Sequence, residues 1–303
     1  MAKRGPYRHR TLEERLKAHS QVTELWATGK TVKEIAEALD ISRRDVSYWF
    51  RVRKPSRTVY SPDLTPRDEL AYLVCAYLGD GRTAGEQDKK VRFKVADPTF
   101  ADQLNDLIST IIGASRKPVA FEEGFSCVSY DSAGLYDYLQ QPLSALQPLI
   151  DISPTMFLRG FFDAEGYASP RLNHSKKHFL GILLGVANTN SEYLDCVQLQ
   201  LNRLGIRASR FKTHDAGEPM TIRGNTFHRK KEVRQVQLRG KNVAEVFQAR
   251  INFSIPVKKT KLADLIWISR SLSTADGYNW FVSHYELRNK RWVRNMHANP
   301  SPQ

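Results

Sequence analysis

The sequence has few cysteines, no long apolar run and a shortage of acidic residues. Its three cysteines, Cys75, Cys127 and Cys196, are too scattered for a CxxC zinc site and too few for a disulfide framework. No run of about 18 apolar residues occurs, so a membrane-spanning helix is excluded. The basic start is not followed by an apolar segment, so a secretion signal is not expected. These absences favour a protein of the reducing cytoplasm.

The shortage of acids leaves a net charge of +14 over 303 residues, from 46 Lys and Arg against 32 Asp and Glu. A surplus of this size favours a polyanionic partner, most simply a nucleic acid. The surplus is uneven, because residues 1–60 hold 14 Lys and Arg but only 7 Asp and Glu. One fifth of the chain thus carries half of the excess, which indicates a separate basic domain at the N-terminus.

Three helices without strands are predicted between residues 11 and 53. Each begins with a capping box, in which a hydroxyl and an acid three residues later satisfy backbone amides. These pairs are Thr11 with Glu14, Thr31 with Glu34, and Ser42 with Asp45. A tight turn at Asp40 and Ile41 separates the second and third helices, as in a helix-turn-helix domain.

The third of these helices has an apolar face and a basic face. Val46, Trp49 and Phe50 are predicted to face the core. The outward residues are candidates for contacts with DNA bases and phosphates, namely Arg43, Arg44, Ser47, Tyr48 and Arg51. The alternative is a three-helix bundle whose basic face is merely solvated.

Two later segments repeat one kind of helix ending. Residues 73–81 and 158–166 are both apolar and end in an acid followed by glycine, Asp80 in the first and Glu165 in the second. Small residues recur four positions apart in each copy, Cys75 with Gly79 and Gly160 with Ala164. We expect these small residues to let the two helices pack closely.

The position of the two acids predicts a metal site. The C-terminus of a helix carries a partial negative charge, so a carboxylate there is unfavourable unless a cation compensates. If the two helices pack in parallel, Asp80 and Glu165 meet, and their repulsion adds to this cost. Mg²⁺ would remove the conflict, because it prefers oxygen ligands and retains water and phosphate in its shell. Paired carboxylates of this kind predict a metal-dependent phosphodiesterase.

The segments that follow the two helices are also duplicated. Each half reads as α-β-β-α-β-β-α, which predicts an α+β fold with two pseudo-symmetric halves. Basic and amide side chains alternate with apolar ones along the strands and are expected to form DNA-binding faces on two concave antiparallel sheets. These side chains are Lys90, Arg92, Lys94, Arg210, Lys212, Gln235, Gln237 and Arg239.

The two repeated segments resemble the motifs of LAGLIDADG homing endonucleases of the single-chain, two-motif class. The resemblance covers about residues 65–266 and includes residues 253–258 before the last helix. It implies a saddle of two antiparallel sheets, with Asp80 and Glu165 binding the metal and activating water. The neighbouring Gly79 and Ala164 are assigned to the same metal site.

The resemblance also implies a function and partners. The protein would be a monomer that acts as a pseudo-dimer on double-stranded DNA, without a membrane partner. With Mg²⁺, or Mn²⁺ in its place, it would make double-strand breaks with 3′ overhangs in a long asymmetric site. Its location would be the cytoplasm of a prokaryote or an equivalent DNA-containing compartment.

Further residues carry weaker expectations. Lys258 matches a basic position that often assists catalysis in the family, but the first half has no comparable lysine near residues 149–150. Lys94 is a substitute candidate, and an ordinary phosphate contact is its equal alternative. Asp163 has Leu78 as its counterpart, so we expect a structural or solvent-facing role rather than metal ligation.

These patterns divide the chain into five parts and leave three functions open. The parts are a helix-turn-helix domain (1–58), a linker (59–64), two halves (65–152 and 153–266) and a basic aromatic tail (267–303). The functions are a DNA endonuclease, a regulator that binds DNA without cutting it, and an RNA maturase on the same scaffold. The presence of both acids favours the endonuclease.

Overall fold

The computed structural model describes residues 12–52, 62–83, 89–222, 225–288 and 291–295. The contacts between residues divide the chain into two compact units. The first unit comprises residues 1–66 and 81–142, and the second comprises residues 67–80 and 143–303. Within the described ranges, no helix is both long enough and apolar enough to cross a membrane.

The first unit begins with the three expected helices. They are α1 (Leu12–Ala27), α2 (Val32–Leu39) and α3 (Arg43–Val52). Thr31 and Glu34 form the predicted capping box, with the Thr31 amide 2.8 Å from the Glu34 carboxylate. Asp40 ends α2 in the left-handed conformation, which permits the tight turn into α3. The expected cap at Thr11 lies outside the described residues.

A small apolar core holds these three helices together. Val46 and Trp49 of α3 are buried, as predicted, and pack with residues of the other two helices and the turn. The buried partners are Ala18, Val22, Ile35, Ala36 and Ile41. The predicted core position of Phe50 lies outside the part whose side chains the structure describes.

The rest of the first unit is a four-stranded antiparallel sheet with helices on one face. Its elements are β1 (Gly81–Thr83), β2 (Lys90–Val95), α5 (Pro98–Ile112), β3 (Ala120–Glu122), β4 (Phe125–Asp131) and α6 (Ala133–Leu139). The strand order is β1-β2-β4-β3. Val91, Phe93 and Val95 of β2 are buried, while the basic residues between them are partly exposed, as the alternation predicts.

The second unit is built on α4 (Arg67–Asp80), which packs against helix α8 (Pro154–Glu165). The helix α7 (Leu143–Ile152) precedes α8. A second four-stranded antiparallel sheet follows, with the order β5-β6-β10-β7. Its elements are β5 (Gly166–Asn173), β6 (His178–Asn188), α9 (Ser191–Arg203), β7 (Ser209–His214), β10 (Val233–Arg239) and α10 (Lys241–Arg250).

The two sheets have the same internal order, because in each the strands that are first, second, fourth and third along the chain lie side by side. The second sheet differs by an inserted hairpin of β8 (Pro219–Ile222) and β9 (Asn225–His228). The predicted α+β fold with a repeated α-β-β-α-β-β-α order is therefore confirmed.

The C-terminal part is more regular than the sequence pattern predicts. The predicted boundary at residue 266 falls inside α11 (Pro256–Ser271). It is followed by α12 (Thr274–His284), β11 (Tyr285–Arg288) and β12 (Arg291–Arg294). Aromatic packing fixes this part, since Phe281 stacks on Tyr285 at 4.6 Å and meets Trp292 edge-on at 5.0 Å.

Candidate active site and nucleic-acid surfaces

The helices α4 and α8 approach each other through their small residues. A Cβ on Gly79 would lie 2.7 Å from the Ala164 Cβ, and a Cβ on Gly160 would collide with the carbonyl oxygen of Tyr72. Gly160 also faces Cys75, because a Cβ on Gly160 would lie 3.1 Å from the Cys75 Cβ. The middle parts of both helices thus face each other, as do their C-terminal ends. The expected close packing is confirmed, and the two helices are parallel, which is the condition for the two acids to meet.

This packing brings together the two acids that end the helices. Asp80 is the last residue of α4, and Glu165 is the last residue of α8. Burial, and after it the negative charge of Asp80, raise the pKa of Glu165 to about 7, while Lys258 opposes the shift. The Asn188 amide lies 3.3 Å from the Glu165 Oε1. The conflict predicted from the helix ends is therefore present at Glu165.

Lys258 lies beside the acid pair and caps α8. Its Nζ donates hydrogen bonds to the carbonyl oxygens of Phe162 at 3.1 Å and Asp163 at 2.5 Å. Carbonyls in the last turn of a helix have no partner within the helix, so the ammonium group stabilises this end. Burial lowers the pKa of Lys258 to about 8, against the opposing effect of Asp163, Asp80 and Glu165.

Asp163 is a buried structural residue, which confirms the first of the two roles expected for it. Its carboxylate accepts hydrogen bonds from the Tyr72 hydroxyl at 2.8 Å, the Ser254 hydroxyl at 2.5 Å and the Ser254 amide at 3.1 Å. It joins α4, α8 and the segment before α11 and is not available as a metal ligand. The roles of Tyr72 and Ser254 could not be predicted from the sequence, because each lies 91 residues from Asp163 along the chain.

The donor set at the helix ends suits a hard divalent cation. Two carboxylates and the carbonyl oxygens of two helix C-termini are oxygen donors of the kind that Mg²⁺ prefers. Among the described residues, no group of three or more His, Cys, Asp or Glu side chains is placed to hold a metal. A cation here would therefore complete its shell with backbone carbonyls, water and phosphate. The expected part of Gly79 and Ala164 in that shell stays a prediction.

The partly exposed face of β2 in the first sheet carries three basic residues that are paired with acidic residues. Its three cations each form an ion pair: Lys90 with Asp131 at 3.7 Å, Arg92 with Glu122 at 2.6 Å, and Lys94 with Glu123 at 2.7 Å. A phosphate would have to compete with these carboxylates. The role of Lys94 in catalysis or phosphate contact stays a prediction.

The second sheet separates side chains that the sequence pattern places together. Arg210 pairs with buried Val236 across the sheet, on the helix-covered face, and its guanidinium contacts Asp195 and Ser191 of α9. Lys212 pairs with Arg234 on the same face and forms an ion pair with Asp215. The prediction that Arg210 and Lys212 share a face of the sheet with Gln235 and Gln237 was wrong. Alternation along one strand does not determine which of its side chains lie on the same face as those of the neighbouring strand.

The opposite face of the second sheet carries a connected polar network. The Gln237 amide donates to Gln235 Oε1 at 2.8 Å, and the Arg239 guanidinium donates to Gln237 Oε1 at 2.9 Å. Gln235 and Gln237 also bond to the Tyr167 hydroxyl, and Arg239 lies over the Phe211 ring. Tyr167 could not be assigned to this face from the sequence, because its position follows from the register that aligns it with Gly185 and Gln237.

The basic face of α3 is exposed to solvent. Arg43 and Arg44 are exposed, Tyr48 is 38% exposed, and Ser47 is partly exposed. Arg43 lies 3.4 Å from Glu37 of α2, an exposed ion pair of small energetic weight. The side chain of Arg51 lies outside the described part of the chain.

Comparison with protein families agrees with this architecture. Residues 153–252 match the family model of the LAGLIDADG-like domain, and residues 17–51 match that of bacterial regulatory proteins of the luxR family. The resemblance drawn from the two repeated helix endings is therefore confirmed in the second half. Residues 153–252 are thus similar to a LAGLIDADG-like domain, and the N-terminal helices are similar to a region of those regulatory proteins.

Individual proteins are similar to this chain at lower levels. A protein of Methanocaldococcus jannaschii, MJ0398, is 28% identical over 242 residues, which is 77% of this chain and 84% of that protein. The structure of I-DmoI in complex with DNA and Mn is 18% identical, with a TM-score of 0.41 over 61% of this chain and 96% of that one. Full-length DUF199/WhiA from Thermatoga maritima is 12% identical, with a TM-score of 0.42 over 75% and 69% of the chains.

Proposed function

We propose that the protein is a sequence-specific, divalent-metal-dependent DNA endonuclease that makes double-strand breaks in a long asymmetric site. The observation that carries the proposal is the pair of carboxylates, Asp80 and Glu165, at the adjacent C-terminal ends of two parallel helices. Two carboxylates at adjacent helix ends repel each other and the negative helix ends, and a bound cation would offset this cost. The enzyme acts as a monomer whose two halves each address one DNA strand.

Asp80 and Glu165 would hold Mg²⁺, or Mn²⁺ in its place, with backbone carbonyls at Gly79 and Ala164 completing the protein's share of the ligands. When bound, the cation neutralises charge on a phosphodiester and lowers the pKa of water. The protein's own contribution is to hold the two carboxylates close together. Asp163, bonded to Tyr72 and Ser254, anchors α8 against α4 for this purpose.

Lys258 supplies positive charge beside the acids and holds a proton whose pKa is near 8. A group with a pKa near neutral suits proton transfer in this range of pH. Its two carbonyl contacts orient Nζ at the end of α8, next to Glu165. Lys258 thus keeps a proton close to the reacting phosphate while it offsets the negative helix end.

DNA recognition is divided between two kinds of surface. Side chains on α3 suit base and phosphate contacts in a major groove, among them Arg43, Arg44, Ser47 and Tyr48. The strand faces add Lys90, Arg92 and Lys94 in the first sheet and Gln235, Gln237 and Arg239 in the second. Amides with two donors and an acceptor suit the edges of bases, while the cations suit phosphates.

The test is cleavage of a randomised DNA library in the presence of Mg²⁺, with the product ends sequenced. Asp80→Asn and Glu165→Gln should abolish cutting and leave DNA binding in place. Glu192→Gln, at an exposed acid on α9, is the matched charge control and should cut normally. Normal cutting by both site variants would show that these acids do not perform the chemistry.

A regulator that binds DNA without cutting it is the second candidate. The match of residues 17–51 to luxR-family regulatory proteins favours it, as does the neutralised strand face of the first sheet. Specific binding by the unmodified protein, with no cleavage of any library member in Mg²⁺ or Mn²⁺, would support the regulator and overturn the endonuclease.

A further inference from the structure

The hydrogen-bonding capacity of Gln237 on β10 is fully used inside the protein. Its Oε1 accepts hydrogen bonds from Nε and Nη2 of Arg239, at 3.1 and 2.9 Å. Its Nε2 donates to Gln235 Oε1 at 2.8 Å and to the Tyr167 hydroxyl at 3.4 Å. A primary amide has two donor hydrogens and two acceptor lone pairs, so none is left for a DNA base. Both glutamines are also only 8% exposed, which indicates that they support their neighbours from beneath the surface.

Tyr167 holds the two glutamines from the far side of the intervening strand. It lies on β5, and β6 separates β5 from β10 in the sheet. A Cβ on Gly185 of β6 would lie 2.8 Å from the Tyr167 hydroxyl oxygen and 2.9 Å from the ring carbon Cζ. The ring therefore lies directly over the backbone of β6, and its hydroxyl reaches the amides of Gln235 and Gln237. The absence of a side chain at Gly185 is what permits this crossing.

The network ends in one exposed group, the guanidinium of Arg239. Two of its five N–H donors are bound to Gln237, and Cζ lies over the Phe211 ring, 5.8 Å from the ring centroid. The other three donors, on Nη1 and Nη2, have no partner among the residues that the structure describes. They form the outer end of the planar group, where two parallel N–H groups can meet two acceptors. Arg239 is thus an arginine whose orientation is fixed while its fork is available.

A fork of this kind matches the O6 and N7 of guanine or two oxygens of a phosphate. The surroundings of Arg239 favour guanine. The side chains in register with it across the sheet are Leu183 on β6 and then Ser169 on β5, so no cation in that row adds to the attraction for a phosphate. A phosphate contact requires charge, whereas a base contact requires a fixed geometry, and fixed geometry is what Gln237 and Phe211 provide.

We propose that Arg239 reads one guanine in the major groove, and that Gln237, Gln235 and Tyr167 are positioning residues that fix its guanidinium. The inference rests on the proposed function for DNA as the partner. It goes further by naming the base that is recognised and by giving Gln237 an indirect role in place of a contact with DNA. A bidentate contact of this kind discriminates against other bases by about 5- to 140-fold.

The experiment selects bound sequences from a randomised duplex library in EDTA, so that it measures binding without cleavage. Arg239→Lys keeps the positive charge but loses the fork. It should lose the preference for guanine at one position and bind the originally selected site about 5- to 140-fold more weakly. The slope of log affinity against log salt should not change, because the charge is retained. Arg171→Lys, at an exposed arginine of β5, is the matched control and should select the original sequence.

Two variants of Gln237 test the indirect role. Gln237→Met removes the acceptor of Arg239 and should relax the preference at the same position, whereas Gln237→Glu keeps an acceptor and should keep the guanine. Because Gln237 acts through Arg239, adding Gln237→Met to Arg239→Lys should cause little further loss of preference. Thermal unfolding checks that each variant is folded, and Arg239→Lys, at an exposed position, decides the matter if Gln237→Met is not.

Selection of the same guanine by Arg239→Lys and by the unmodified protein would overturn the proposal and indicate a phosphate contact. Selection of no preferred sequence by the unmodified protein would overturn it as well, and would also contradict sequence-specific DNA binding as such. Loss of the guanine in Arg239→Lys would support the proposal even if the protein cuts no DNA, so failure of the endonuclease function is distinguished from failure of this inference.

Discussion

The stability of the metal-free protein should fall as the pH rises from 5 to 7, because of Glu165. In the folded chain its pKa is about 7, against an ordinary value of 4.5. Between these values the folded state binds more protons than the unfolded state, so raising the pH favours unfolding. The stabilisation is complete below pH 4.5 and is lost as the pH passes through 7.

The size of this effect follows from the distance between the two pKa values. Each unit between the folded and unfolded pKa corresponds to about 1.36 kcal/mol. Allowing for the part of the carboxylate that remains in solvent, the loss should be about 2–3 kcal/mol. Lys258 acts in the opposite direction at higher pH, since its pKa falls from 10.5 to about 8. The contribution of Lys258 to stability is present above pH 10.5 and is lost as the pH falls through 8. The two groups together therefore give a minimum in the free energy of unfolding between pH 7 and 8.

Urea unfolding in EDTA at pH 5.0, 6.0, 7.0 and 8.0 measures the effect. Glu165→Gln cannot ionise and should remove most of the decline between pH 5 and 7. Mg²⁺ should stabilise the unmodified protein more at pH 8 than at pH 5, where a proton competes with the cation for Glu165. An unchanged decline in Glu165→Gln would refute the reasoning, because some other group would then be responsible.

Three further changes probe the packing and the surfaces. Gly160→Ala should lower the free energy of unfolding by about 1–3 kcal/mol or more in urea titrations, because its methyl group meets a backbone oxygen; a neutral result would contradict the close helix contact. Tyr72→Phe should cost about 1–3 kcal/mol, since buried Asp163 loses a donor; equal stability would show that the hydroxyl is dispensable. Arg44→Ala should weaken DNA binding in a gel-shift titration without changing the cleavage rate of saturated DNA, and unchanged affinity would argue against α3 as a DNA-binding helix.

The sequence was sufficient for the features that arise from local patterns. The acids, the small residues at Gly79 and Gly160, and the alternation on β2 all follow from spacing along one element, and the structure agrees with each. The facing of Arg210 could not be obtained in this way, because it depends on the register between β7 and β10. The hydrogen bonds of Asp163 could not be predicted either, since they join segments that only the complete fold brings together.

The asymmetry between the halves has a physical cause that the repeated pattern alone conceals. Asp163 and Leu78 occupy the same place before the two acids, but only Asp163 is tied into a buried network. That network holds the segment leading into α11, and α11 delivers Lys258 to the end of α8. Glu165 therefore has a neighbouring cation that its own half of the fold positions. Leu78, at the corresponding place of α4, can supply packing but no such polar link. The second half therefore provides the cation that acts on the acid pair.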